Sequence, residues 1–145
     1  MNENLEVGQI LWLKVKYQVG IISNQKHPML IEKIKDDYIE VIALDKTKDK
    51  LHQLFHNYNY YINCEFPKEK VILEDSYAQL NTKLTIENVG QLKKARKTIE
   101  KLSKNKLKDL LIEYNNYQNN NKISVERIVH MRFDEILGLN PELKD

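Results

Sequence analysis

A lysine, a histidine and a proline stand in succession at 26–28, ahead of the apolar run 29–31. Histidine is the side chain whose ordinary pKa lies nearest neutrality, so it takes up and releases protons under physiological conditions, while lysine supplies a compact cation. Side by side they have what a reaction through an anionic transition state needs: a group that moves a proton and a charge that stabilises the anion. Pro28 makes their placement firm. It has no amide hydrogen, which suits the first residue of a strand, and it biases His27 away from helical dihedrals. The loop therefore runs extended into the strand and holds Lys26 and His27 in a defined direction. Lys46, in "IALDKT" at the end of the following β-prone run, is a second cation for the same pair.

Other chemistry-bearing residues carry less. His52 and His56 in "LHQLFH" are four apart, a spacing that on a helix puts two metal ligands on one face, but no cysteine or carboxylate completes a set of familiar spacing. No metal and no cofactor is expected. Cys64 is the single cysteine, without a partner for a disulfide, and reads as a small buried or half-buried thiol in a reducing compartment. Glycine-rich phosphate loops, nucleophile elbows and zinc-type cysteine pairs do not occur. The stretch "NYNYYINCEF" concentrates Tyr58, Tyr60, Tyr61 and Phe66. Its tyrosines either stack on unpaired bases, with Tyr58 or Tyr60 at the surface, or form a strand with one packed face.

The elements that must position these residues divide the chain at about residue 88. Before it, short β-prone runs follow one another: GQILWLKVK, VGIIS, MLIEKIK, YIEVIALD, NYNYYINCEF and KVILEDSYAQL, with Asp36-Asp37 as a tight turn. Strands this short and close, with no helix between them, predict a small closed or half-closed antiparallel barrel. After it the period becomes helical. Val89, Leu92, Ala95, Ile99 and Leu102 make one stripe; Ser103 caps a second helix striped by Leu107, Leu110, Leu111 and Tyr114. Residues 115–121, NNYQNNN, read as a polar linker. In 124–138 a helix competes with an extended RIVHM followed by a short helix from Phe133, and the helix is slightly favoured. Gly138 and Pro141 end it either way.

The 145 residues suffice for one domain with a real core, and 41% hydrophobic with 30% charged residues places the chain in the soluble globular class. No apolar run approaches the roughly 18 residues of a membrane helix, and the first residues lack the order of a secretory signal, so the expected location is the cytoplasm and no membrane partner is foreseen. The formal charge of +2 hides a segregation: eight lysines and arginines fall within 93–108. Read as a helix, that segment sets Lys93, Lys94, Arg96 and Lys97 beside its apolar stripe. Such a face is simply solvated, follows a phosphate backbone, or holds an acidic partner.

Two stretches together resemble the PemK/MazF family of toxin endoribonucleases. One is a G-Q-I-L-W opening strand followed by a basic residue, proline and an aliphatic strand. The other is 76–92, "SYAQLNTKLTIENVGQL", in which Ser76, Leu80, Thr85, Ile86, Glu87 and Leu92 fall in matching positions. The resemblance covers roughly the first 90 residues and implies an SH3-like barrel, a homodimer, and metal-independent cleavage of single-stranded RNA by a toxin that an acidic antitoxin protein restrains. The family's catalytic arginine falls on His27, its strand-end hydroxyl residue near Asp45, Lys46 and Thr47, and its later glutamine and arginine on Thr82 and Leu84. The family's catalytic residues therefore carry over poorly, but RNA cleavage through a 2′-hydroxyl needs a base, an acid and a cation, which His27 with Lys26 or Lys46 can supply, with Thr47 as a hydroxyl donor. By their charge and aromatic character Lys93, Lys94, Arg96, Lys97, Tyr58 and Tyr60 are the expected RNA-binding residues. The expected fold is α+β: an SH3-like antiparallel β-barrel over 1–88 and a helical extension over 89–145, packed on or beside the barrel as one structural domain. The rival expectation is a module without catalysis, binding RNA or protein on the same barrel, or an accessory protein of a mobile element whose helical tail mediates assembly.

Overall fold

A computed structural model describes residues 4–65 and 71–144. The strands are β1 (Ile10–Leu13), β2 (Lys16–Gln18), β3 (Ile21–Ile22), β4 (His27–Ile34), β5 (Tyr38–Lys46), β6 (Asn59–Ile62), β7 (Ser76–Gln79), β8 (Lys83–Glu87), β9 (Arg96–Lys97) and β10 (Ile128–Met131). The helices are α1 (Lys104–Asn120) and α2 (Phe133–Leu139), with short 3-10 turns between elements. The fold is α+β, and among the described residues no helix is long and apolar enough to cross a membrane.

Local pairing follows the sequence. The β4–β5 hairpin turns at Asp36-Asp37, closed by the Lys35 amide donating to the Tyr38 carbonyl at 2.8 Å. Its register pairs Met29 with Ala43, Leu30 with Ile42 and Ile31 with Val41. These strands read as nearly continuous apolar runs because both of their faces are covered. Leu11, Leu13, Met29, Ile31, Ile39 and Val41 feed one core with Ile136 of α2. Ile10, Leu30, Ile42 and Leu44 feed a second with Leu110 and Tyr114 of α1.

The sheet stays open, which corrects the barrel expected for 1–88. Its order is β10-β8-β5-β4-β1-β9, and β7 branches from the end of β5 to pair with β6. Closure would need the two edges to meet. Instead, residues beyond 88 supply a strand at each edge: β9 lies antiparallel to β1, and β10 lies parallel to β8. A short edge strand presents few unpaired backbone groups.

The same segments correct three readings of the helical period. Residues 93–108 do not form one basic helix. They run through a 3-10 turn (Gly90–Lys94), then β9, then an extended stretch, and α1 begins only at Lys104 with Ser103 in the cap position. Leu92, Ala95 and Leu102 are buried, but Ile99, which would complete the stripe, is 94% exposed. Residues 115–121 are not a linker, since α1 continues to Asn120. Tertiary contacts extend it: Gln118 donates to the Leu80 carbonyl at 2.7 Å. Within 124–138 the extended alternative holds, as β10 followed by α2.

Beneath α1 the second core contains two acids. Glu32 stands at a register irregularity in β4, between Ile31 and Lys33. It is 7% exposed, and Glu40 on β5 is 5% exposed. The Tyr114 hydroxyl donates to Glu40 Oε2 at 2.7 Å, whereas the buried Glu32 Oε2 meets no hydrogen-bond donor among the described residues. Burial, reinforced by the Glu40 charge, raises the Glu32 carboxyl to about 7. At the other end of the sheet Asn140, 1% exposed, ties the C-terminal turn to the end of β1. Its Oδ1 accepts from the Lys14 amide and its Nδ2 donates to the Lys14 carbonyl, both at 2.8 Å.

Candidate functional site

Pairing of β4 with β1 and β5 sets the chemistry at the ends of neighbouring strands. His27 lies opposite Leu13 and Pro28 opposite Trp12. β5 ends beside them in Asp45 and Lys46. A cavity of about 530 Å³ opens there, lined among others by Tyr17, Lys26, His27, Asp45, Lys46 and Gln79. Pro28, which donates nothing to the ladder, is the second residue of its strand.

The His27 ring is held rather than solvated. It stacks on Tyr17, with ring centroids 6.2 Å apart and planes at 15°. Burial pushes its pKa below the ordinary histidine value; Asp45 opposes that shift and Lys50 adds to it. Burial thus favours the neutral ring, the form that accepts a proton. Asp45 is itself fixed, its Oδ2 accepting from Lys50 Nζ at 2.8 Å and from the Tyr77 hydroxyl at 3.3 Å. Burial and that carboxylate raise the Tyr77 phenol to about 12. The two lysines at the cavity have acidic company: Lys26 pairs with Glu142, and Lys46 Nζ lies 3.7 Å from Glu74.

Thr47 does not join them. It is 5% exposed, and both its amide, at 3.0 Å, and its hydroxyl, at 3.3 Å, donate to the Asp75 carbonyl. That hydroxyl fastens the end of β5 to the start of β7 and lines none of this cavity.

Two further depressions continue the first. One of about 560 Å³ shares Gln25, Lys26, Pro28, Asp45 and Lys46 with it and extends to Trp12, Arg96 and Lys97. Another of about 270 Å³ shares Tyr17 and Gln79 and extends to Tyr58, Asn81 and Arg127. Through the residues shared with the first, the three run together as one groove, lined by Lys26, Lys46, Arg96, Lys97 and Arg127 as well as the acids Asp45 and Glu74, with Trp12 toward one end and Tyr58 toward the other.

The remaining sequence candidates divide. Arg96 and Lys97 reach the groove through β9. Lys93 and Lys94 sit in the turn before it, and Lys93 faces Asp36 and Gly90 across a separate hollow. Lys97 Nζ bends back to donate to the Lys93 carbonyl at 2.6 Å. Tyr58 lines the groove and meets His56 edge to face at 4.8 Å. Tyr60 is packed against the α1 core, where burial and the charges of Asp109 and Glu113 raise its phenol. Tyr61, at 45%, is the exposed member of that strand. Phe66 lies outside the described residues. His52 belongs to a 3-10 turn and His56 is extended, so they share no helical face. Among the described residues no cluster of three His, Cys, Asp or Glu side chains forms. The Cys64 thiol donates to the Ile72 carbonyl at 3.3 Å.

Trp12, Tyr17, Asp45, Gln79 and Arg127 belong to the groove without having stood out in the sequence. They come from five separate elements, so no spacing announces them; the nearest signals are an indole inside an aliphatic strand and a tyrosine in a short polar one. Compared with protein-family models, curated proteins and solved structures, the chain gives no match.

Proposed function

We propose that this protein is a metal-independent endoribonuclease of PemK/MazF type that binds single-stranded RNA along the groove. The observation that carries the reading is the convergence of Lys26, His27 and Lys46 on one cavity that opens both ways into basic and aromatic walls. Neutral His27 removes the proton of a ribose 2′-hydroxyl, and the 2′ oxygen attacks the adjacent phosphorus. Lys26 and Lys46 stabilise the charge that gathers on the phosphoryl oxygens. The bond to the 5′ oxygen breaks and that oxygen takes a proton from the Lys46 ammonium, leaving a 2′,3′-cyclic phosphate and a 5′-hydroxyl end. Thr47 takes no part. On this reading the partners are a second copy of the chain and an acidic antitoxin protein.

The test is incubation of the purified protein with a mixed-sequence single-stranded RNA in EDTA. Products with 5′-hydroxyl and cyclic phosphate ends are expected; RNA that stays intact rejects the enzyme. A second reading, a binding module without catalysis, draws on the acidic partners of Lys26 and Lys46, which lower the free positive charge at the cavity. Intact RNA that is nevertheless bound would select it.

The groove also divides the basic cluster. Replacing Arg96 and Lys97 by Gln is expected to weaken binding and to reduce the slope of log affinity against log salt by about 0.7 for each phosphate that is no longer neutralised. Replacing Lys93 and Lys94 by Gln is expected to change either quantity little. Equal effects of the two double variants in a salt titration would remove Arg96 and Lys97 from the interface.

A further inference from the structure

We infer that Trp12 and Arg96, with Pro28, form a nucleobase-stacking subsite for the nucleotide on the 3′ side of the bond cleaved at His27. The inference rests on the RNA-cleaving reading above and assigns a second position within the same groove. Its basis is a row of side chains across three neighbouring strands. Arg96 of β9 pairs opposite Trp12 of β1, and Trp12 pairs opposite Pro28 of β4. Directly opposed residues project from the same face of a sheet. The three therefore stand in line, a planar guanidinium, a planar indole and a compact puckered pyrrolidine ring, all lining the 560 Å³ depression.

The guanidinium carbon of Arg96 lies 4.4 Å from the centroid of the Trp12 ring. Contact with the ring holds that side chain in place although Arg96 itself is exposed. A planar cation held over the face of a half-buried indole presents its own outer plane as a platform for a base, with the indole as its support, because every base has a π face and guanidinium planes stack on it. The basic side chains around the platform outnumber the acids Asp45 and Glu74 that line the same depression, which suits the phosphate of a nucleotide. Lys97 lines the same depression, and Lys26 and Lys46 stand where it meets the His27 cavity. A phosphate seated between those two lysines has His27 on one side and the platform on the other. The ribose whose 2′-hydroxyl reacts precedes the scissile phosphate and lies at His27, so the nucleotide that follows the phosphate lies at Trp12. Stacking strength rather than hydrogen bonding sets the preference there, and purines, with the larger face, are favoured over pyrimidines.

Trp12 is the chain's only tryptophan, so its emission reports this position alone. A 2′-O-methyl single-stranded oligonucleotide, which cannot be cleaved through its 2′ oxygen, serves as the probe. Its binding is followed in parallel by anisotropy of an attached dye. Quenching of Trp12 that saturates together with the anisotropy is expected, and Arg96→Gln should weaken the affinity by about 5- to 100-fold, the range for removing one base stack. Among products made by the wild type, purines should be enriched at the first position of the fragments carrying 5′-hydroxyl ends, and that enrichment should be missing from the fragments that Trp12→Leu makes at its reduced rate. Saturated anisotropy with unchanged emission, or the same end composition from wild type and Trp12→Leu, overturns the subsite and leaves the nuclease standing. Absence of binding by either signal overturns both.

Discussion

With His27 replaced by alanine, cleavage of single-stranded RNA in EDTA is expected to fall by about 10²- to 10⁴-fold, the usual contribution of a positioned general base. Affinity for the non-cleavable oligonucleotide should stay nearly unchanged, since the groove's cations and platform remain. The pH profile separates a proton-transfer role from a structural one. The imidazole accepts a proton only when neutral, and burial holds its pKa below the ordinary 6.5 against the opposing pull of Asp45. The rate should therefore climb with pH through a midpoint below 6.5 and then level off. Lys50 contributes to that depression, so Lys50→Gln should move the climb toward higher pH. Cleavage by His27→Ala at the wild-type rate would take His27 out of the mechanism; a profile without this acidic limb would do the same.

The second large effect concerns stability. Glu32 titrates at about 7 in the folded protein against an ordinary value of 4.5, because it is buried and faces the Glu40 charge, with Lys33 and Lys83 opposing the shift only in part. Tyr114 faces the same pair from α1, and its hydroxyl already donates to Glu40. A group whose folded pKa is raised binds more protons in the folded state. Its stabilisation is full below pH 4.5 and is lost as pH rises through 7. The shift corresponds to a loss of roughly 2–3 kcal/mol between those limits. Glu32→Gln carries no charge to ionise, and its amide can donate to Glu40. Urea denaturation should find it more stable than wild type by about that amount at pH 8 and close to wild type at pH 5. Wild-type stability that does not change between pH 5 and pH 8 would contradict the buried pair.

How far the sequence spoke depended on the range of the interaction. The β4–β5 hairpin was legible because an apolar run, two aspartates and another apolar run are a local arrangement. Lys26, His27 and Lys46 were legible for the same reason: Pro28 fixes the direction of the first two, and the strand end supplies the third. The open sheet was not, because whether β1 meets β8 or β9 is decided by residues far apart in the chain. Residues 93–108 misled through their spacing. Leu92, Ala95 and Leu102 recur like a helical stripe, yet a 3-10 turn and an extended run bury the same residues, and only the exposed Ile99 betrays the difference. The asparagine-rich end of α1 failed in the other direction, where contacts to the β7–β8 turn overrode weak helix propensity. Thr47 looked like a chemical hydroxyl and proved to be a fastening, a distinction visible only in its bonds to Asp75.

The junction of β1 with β9 also has a bearing on how the protein acquires its shape. Two ladder pairs join positions 11 and 12 to 97 and 96, and Thr98 adds hydrogen bonds to Ile10 and Gln9 beside them. Closing so long a stretch of chain for so short a ladder becomes favourable only after the intervening strands have ordered, so this pairing belongs to the late steps of folding. The end of the groove that Arg96 lines thus depends on a pairing that the rest of the sheet must first make favourable.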